Sequence, residues 1–204
     1  MKIALFFSYS TSLQDWLNAG FISRELQPFY DLSLKNGYKF YLVTYGDESD
    51  FDLDEAYLKK YDIEVKPLKA FQGFKFIRNL YDIFSTLLEI DLIFSIQTTA
   101  LISALPVSLF FNIPLISRSG YDVFAFSGKS KSFFKKFVLR LLELFTSLTA
   151  SAFLFATSVD LDSFLRRTKF VRLLKKIFIP KKESTFILPN WVDTTKFTPS
   201  NFSN

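Results

Sequence analysis

Lys2-Ile3-Ala4-Leu5-Phe6-Phe7-Ser8-Tyr9 decides the fold, because it is apolar without alternation from Ile3 to Phe7. A strand with one wet face alternates. An unbroken apolar run is the pattern of a strand covered on both faces, as in parallel sheets flanked by helices. A polar stretch follows, Ser10-Thr11-Ser12-Leu13-Gln14-Asp15-Trp16. From Gly20 to Lys35 the spacing of Phe21, Ile22, Leu26, Phe29, Leu32 and Leu34 predicts a helix. Pro28 predicts a kink in it, and Asn36-Gly37 is a stop signal. Lys39–Thr44 reads as a second strand, ended by Gly46-Asp47.

Working outward, the alternation persists. An acidic stretch, Asp50–Tyr61, predicts a short surface helix, and Ile63-Glu64-Val65 a third strand. Phe74–Glu89 has helical spacing, and Asp91–Ser95 reads as a fourth strand. Thr98–Phe111 predicts a helix that is apolar almost all round, with Pro106 inside it. Ile113–Ser117 is a fifth strand and Ala152–Ala156 a sixth. Between them, Lys131–Leu148 predicts a long basic amphipathic helix. Val159–Arg167 predicts a short helix, and Thr185–Leu188 a seventh strand. Strands separated by helix-length connections imply parallel crossovers. The expected fold is therefore α/β, a doubly wound, mostly parallel Rossmann-like sheet of about seven strands.

Composition removes several kinds of chemistry. The 204 residues contain no Cys and no His. Disulfides, thiolate nucleophiles and thiolate or imidazole metal ligands are excluded, as is the commonest general base. No G-x-G-x-x-G follows the first strand and no G-x-x-x-x-G-K-[ST] occurs, so no nicotinamide, flavin, P-loop or metal cofactor is expected. The chain is 49% hydrophobic and 22% charged, which suits a globular core. Phe is overused, with 27 copies against one Met, and is read as core filling. The short apolar start does not resemble a signal peptide, and charges interrupt every apolar run before it could span a bilayer. A cytoplasmic protein is expected, with contact at the inner face of the membrane left open.

In a doubly wound sheet, ligands sit beyond the carboxyl ends of the strands. Three loops there carry polar groups. Gly20 stands ahead of a helix N-terminus, where an anion would be favoured. Tight helix–sheet packing explains the same glycine. Ser95-Ile96-Gln97-Thr98-Thr99 makes a polar turn after the fourth strand. After the fifth, Arg118-Ser119-Gly120-Tyr121 offers a cation suited to phosphate or carboxylate. A salt bridge to Asp122 or another carboxylate is the alternative for Arg118. Gly120 is read as turning the backbone to present Tyr121. Near the end, Phe186-Ile187-Leu188-Pro189-Asn190-Trp191-Val192-Asp193-Thr194-Thr195-Lys196-Phe197-Thr198-Pro199 gives a strand, a turn and a helical turn. Asp193 is a plausible N-cap and Phe197 a core anchor.

The order of that last segment resembles the hydrophobic–Pro-Asn-x-Val-Asp-x-x-x-Phe-x-Pro signature of family-4 glycosyltransferases, which have the GT-B fold. Gly20-Phe21-Ile22-Ser23-Arg24-Glu25 and Thr44-Tyr45-Gly46-Asp47 are similar to the opening of a subgroup of those enzymes. The loops at Gln97 and Arg118 fit the same pattern, although the His that many members carry there is missing. The resemblance runs from Lys2 to Pro199. It implies a hexosyltransferase-like protein in which 1–199 form the N-terminal, acceptor-side domain. Residues 200–204 would be a polar tail at the linker, and the C-terminal donor-binding domain would be absent.

What the resemblance implies for the site follows. Gly20, Arg24, Gln97, Thr98, Arg118, Gly120, Tyr121 and Asn190 would contact substrate. Trp191, Asp193 and Phe197 would face the second domain. The catalytic residues stay unassigned. A nucleotide sugar would be bound only with that second domain, and the acceptor would be a glycan or a lipid-linked glycan. Peripheral membrane contact is compatible with the basic helix, whose apolar side is expected to pack on the sheet. Nucleic acid is not expected. The alternative from a different class is a non-catalytic Rossmann-like binding module at the membrane surface.

Overall fold

A computed structural model describes residues 1–47, 49–53, 58, 63–67, 88–120, 133–178 and 184–189. Seven strands form one sheet: β1 (Lys2–Phe6), β2 (Lys39–Thr44), β3 (Ile63–Pro67), β4 (Leu92–Ser95), β5 (Leu115–Ser119), β6 (Ala152–Phe155) and β7 (Ser184–Ile187). Their order is β3-β2-β1-β4-β5-β6-β7, and every pairing is parallel. This is the doubly wound fold that the sequence pattern implies.

β1 shows why. Ala4 and Phe6 point into one apolar cluster, with Val43, Ile93, Leu115 and Phe153. Ile3, Leu5 and Phe7 point into the other, with Phe40, Leu42, Val65 and Phe94. Both faces are dry, as the unbroken apolar run requires.

One face is covered by α1 (Leu13–Asn18), α2 (Ile22–Asn36) and α3 (Ser49–Leu53). α1 buries Leu13 and Trp16, and Trp16 stacks on Phe7 with ring centroids 3.8 Å apart. α2 buries Ile22, Leu26 and Phe29, one helical stripe, and its helix continues through Pro28. Gly37 ends it in the left-handed conformation.

The other face is covered by α4 (Leu101–Phe111), α5 (Phe133–Thr149) and α6 (Ser158–Phe178). A 3-10 turn at Thr98–Ala100 leads into α4, which continues through Pro106. α5 packs against both α4 and α6.

Three expectations need correction. The helix after β6 does not stop at Arg167; it runs to Phe178, because Leu161, Phe164 and Thr168 anchor it to the core and no Gly, Pro or Asn stands within it to end it. α3 is not merely a surface helix, since Asp50 is fully buried. Its carboxylate accepts from the Leu13 N–H at 3.1 Å and from Thr44 Oγ1, which ties α3 to the start of α1. Gly46 makes room for that carboxylate, with which a Cβ would collide. The third concerns α5. The stripe of Phe134, Phe137, Leu141 and Phe145 faces solvent, and the sheet side carries Leu139, Leu142, Glu143 and Thr146. Phe is thus a core filler in part only. No helix among the described residues is long and apolar enough to cross a membrane.

The helix expected over Phe74–Glu89 lies almost wholly outside the described residues, as do Tyr121, Asn190, Trp191, Asp193, Phe197 and the 200–204 tail.

Candidate functional site

The sheet order reverses at β1. From β1 the chain steps outward to β2 and β3, then returns to β4 on the other side. The helices that follow the two halves cover opposite faces, so a crevice opens at the carboxyl ends of β1 and β4. Phe6 and Ser95, the last residues of these strands, are register partners. Just beyond them, Ser8 Oγ donates to Gln97 Oε1 at 2.8 Å, spanning the crevice floor.

The loop after β1 turns tightly. The Thr11 N–H donates to the Ser8 carbonyl, and Ser10 takes a positive φ of 60°. This leaves Tyr9 47% exposed, edge-on to Tyr45 with centroids 5.2 Å apart. The Tyr45 hydroxyl donates to Ser103 Oγ on α4 at 2.7 Å. Burial pushes the Tyr45 phenol above its ordinary pKa, and the Ser103 contact opposes this. Tyr45 is therefore a neutral hydrogen-bonding group at neutral pH. Two aromatic side chains so form a wall beside the polar floor, a combination that suits a sugar ring's apolar face and hydroxyl edge.

On the α2 side, Gly20 has φ +69° and closes α1. Its N–H donates to the Leu17 carbonyl at 3.0 Å, and the Phe21 N–H to the Trp16 carbonyl at 2.9 Å, a Schellman motif. A Cβ at Gly20 would meet open space, so tight packing is not what requires glycine here. The turn directs the chain into the first turn of α2, where Arg24 and Glu25 lie. Glu25 is 7% exposed. Its Oε1 accepts from Arg24 Nη2 at 2.7 Å, and its Oε2 from Arg118 Nη1 at 2.7 Å. Arg24 also lies over the Phe21 ring, 4.3 Å from its centroid. Two guanidiniums against one carboxylate leave this cluster one positive charge in excess. Arg118 does form a salt bridge, and its partner is Glu25.

On the opposite face, Thr98 Oγ1 donates to Ser119 Oγ at 3.4 Å. Below them lies a cavity of about 30 Å³, lined in part by Ser117, Thr146, Asp160 and Arg167. That holds one or two waters and is too small for a sugar ring.

The structure thus brings Gly20, Arg24, Gln97, Thr98 and Arg118 to one edge of the sheet, and Gly120 follows β5 at the same edge. Sequence reasoning did not single out Ser8, Tyr9, Glu25, Tyr45 and Ser103. For Glu25 a signal existed: it shares the buried face of α2 with Ile22 and Phe29, and a carboxylate on such a face needs a cation. The tyrosine pair had none, because it depends on how two loops meet.

No protein-family model matches the chain, and no curated protein sequence matches it. Solved structures do. HepE of Anabaena in complex with UDP and glucose superposes with a TM-score of 0.58 at 16% identity, over 98% of this chain and 47% of HepE. HepE with UDP-glucose gives 0.57 at 16% identity, over 98% and 46%. The fold is shared, and this chain spans a little under half the length of the structure it matches.

Proposed function

We propose that this domain is the N-terminal, acceptor-side half of a GT-B glycosyltransferase of family-4 type. The complete enzyme would move a sugar from a nucleotide-sugar donor to a glycan or lipid-linked acceptor. The observation that carries the reading is the partial match: one Rossmann-like unit corresponds to less than half of a protein whose structures hold UDP and UDP-glucose. The chain then supplies one wall of a cleft, and a second domain holds the donor. On its own the domain would bind donor weakly and turn nothing over.

In this reading Gln97, held by Ser8, and Thr98 present hydrogen-bonding groups to acceptor hydroxyls. Tyr9 and Tyr45 cover a sugar face. The Arg24–Glu25–Arg118 cluster, with one cation in excess, attracts an acceptor phosphate or the leaving diphosphate as charge develops on it. Gly120 follows β5 at the same edge, and Tyr121 and Asn190 would add further substrate contacts. Trp191, Asp193 and Phe197 would meet the second domain. Closing two walls around the reactants supplies orientation, which a single wall does not.

Ligand-observed NMR on the full chain tests this, with UDP-glucose, short glycans and a glycan phosphate as separate probes. Glycan-type probes should bind, and Gln97→Ala and Arg118→Met should each weaken them about tenfold, the worth of a hydrogen bond to a charged or buried polar group. UDP-glucose should bind weakly if at all. Failure of every glycan probe would refute the acceptor assignment. Tight binding of UDP-glucose would place the donor site on this domain instead. A second reading, a non-catalytic binding module, is favoured by one observation. Glu25, Asp50 and Asp15 at this edge are all engaged by protein donors, and the chain has no His. Glycan binding with no transfer, even after a donor-binding domain is supplied, would select it.

A further inference from the structure

The cavity beneath Thr98 and Ser119 is too small for a sugar ring, but its size and lining suit a substituent on one. The half-buried residues Thr98, Ser119 and Asp160 line it, and they lie at or just beyond the carboxyl ends of β4, β5 and β6. It therefore opens at the same edge of the sheet as the crevice. Its walls are of two kinds. Phe153, Phe155 and Phe164 are apolar and buried. Thr98, Ser117 and Ser119 add hydroxyls. Thr98 Oγ1 donates its proton to Ser119 Oγ, which leaves the Thr98 oxygen to accept. Beside Ser117 in register, on the same face of the sheet, stands Ser95. Ser95 is fully buried, and its Oγ has no hydrogen-bond partner among the described residues. A buried hydroxyl left unpaired costs stability that a bound acceptor recovers. Charge at the cavity is balanced. Glu143 and Asp160 supply two carboxylates, and Arg140 and Arg167, which hold Glu143, supply two guanidiniums. A neutral guest fits that balance.

We propose that this cavity receives the acetamido group of a 2-acetamido hexose whose ring lies in the crevice. The bulk of one or two waters is about that of an acetamido group. Gln97 on the crevice floor and Thr98 at the cavity are consecutive residues, with Cα atoms about 3.8 Å apart. A hexose resting on Gln97 therefore reaches past Thr98 with a ring substituent. The acetamido N–H, nearest the ring, donates to Thr98 Oγ1. The carbonyl oxygen accepts from the serine hydroxyls at Ser117 and Ser95. The methyl group packs on the phenylalanine rings. Chemistry selects this occupant over smaller ones. A bare hydroxyl leaves the aromatic lining without an apolar partner, and an ionised amine or carboxylate upsets the charge balance. The inference rests on the acceptor-side reading of the crevice and narrows it to acceptors that bear an N-acetylated sugar.

Ligand-observed NMR on the full chain tests it, with methyl glycosides that differ only at carbon 2. The methyl glycosides of N-acetylglucosamine and N-acetylgalactosamine are compared with those of glucose and galactose. At least one acetamido probe should bind about tenfold tighter than its hydroxyl counterpart, the worth of one buried methyl and one hydrogen bond. The N-pivaloyl analogue, too bulky for the cavity, should lose that advantage. S117L fills the cavity and should bring each pair of probes to equal affinity. S117A removes one hydroxyl donor and should lower the preference about threefold. Melting temperatures verify that both variants fold, and the pivaloyl comparison needs no variant. Equal affinity for acetamido and hydroxyl probes in the wild-type chain overturns the cavity assignment and leaves the acceptor reading of the crevice standing. A preference that S117L or the pivaloyl group leaves intact also overturns it, because the acetamido group is then read elsewhere. Failure of all four glycosides to bind defeats the acceptor reading itself, and the assignment falls with it.

Discussion

Two buried carboxylates, one on each face of the sheet, are each gripped by two arginines, yet they hold different things. Glu25 is clasped by Arg24 from its own helix and by Arg118 from the end of β5. Glu143 is clasped by Arg140 from its own helix and by Arg167 from α6. In the second cluster Arg140 also donates to the main-chain carbonyl of Arg167, and Arg167 uses both Nε and Nη2 on the carboxylate. That cluster locks one helix to another. The first joins a helix N-terminus to a strand end, at the edge where the crevice opens. The same chemistry is therefore architectural in one place and adjacent to the ligand edge in the other. Location and partner element, not the ion pair itself, separate the two roles.

The largest expected effect belongs to the architectural cluster. Glu143→Ala leaves two guanidiniums without their carboxylate, and loss of one partner from a buried pair costs about 3 kcal/mol. Arg140 and Arg167 retain some solvent contact at 35% and 25%, which keeps the value at the low end of that range. Glu25→Ala should cost less, about 2 kcal/mol, because Arg24 at 39% exposure is readily solvated once released. Urea denaturation of the two variants measures both. If Glu25→Ala proves the more destabilising, the division into architectural and edge clusters is wrong.

Gly20→Ala sharpens the comparison from the backbone. At φ +69° an alanine is strained, and nothing crowds its Cβ, so the cost is conformational alone and amounts to about 1 kcal/mol. The same substitution shifts the turn that aims Arg24 and Glu25. Melting should therefore change modestly while glycan binding at the crevice falls. A glycine that mattered only for stability would leave binding intact.

Much of this was legible in the sequence, for physical reasons. The β1 run is apolar on consecutive residues, and only a strand dry on both faces needs that. Gly37 and Asn36 marked the end of α2 because a left-handed cap selects glycine. What misled was α5. Its Phe134, Phe137, Leu141 and Phe145 have the spacing of a buried stripe, and periodicity reports only that apolar residues share a face. Which face meets the sheet was decided by Leu139, Leu142 and Glu143, the last buried by its arginines. A charge at a core-facing position disguised that side as the wet one. Of the site, the sequence located the strand-end loops that bear Gln97, Thr98 and Arg118. The Tyr9–Tyr45 wall arises where two loops far apart in the chain meet, and no local pattern records it.

The smallest effects lie in a matched pair of helix caps, one for each face. Ser12 caps α1, with its Oγ accepting from the Asp15 N–H at 3.1 Å while the Asp15 carboxylate accepts from the Ser12 N–H at 2.8 Å. Thr157 caps α6 in the same way, its Oγ1 accepting from the Asp160 N–H at 3.1 Å and donating to the Asp160 carboxylate at 2.7 Å. Ser12→Ala and Thr157→Ala should each cost about 1 kcal/mol or less, with α6 the more tolerant because its length and buried Phe164 hold it independently of the cap. The Ser12 cap should respond to acid. The Ser12 backbone and side-chain donors hold the Asp15 carboxyl below its ordinary pKa. A carboxyl lowered on folding contributes stability that is present above the unfolded value near 3.8 and is lost as the pH falls through the folded one. Ser12→Ala removes the hydroxyl donor and keeps the backbone one, so the hydroxyl's share of the destabilisation should be present at pH 7 and shrink below about pH 4. Paired melts of wild type and variant at pH 7 and at pH 3 measure this. A Ser12→Ala deficit that is equal at both values would mean that the Ser12 hydroxyl acts only by accepting from the Asp15 N–H, and that its donation to the Asp15 carboxylate contributes nothing to holding α1.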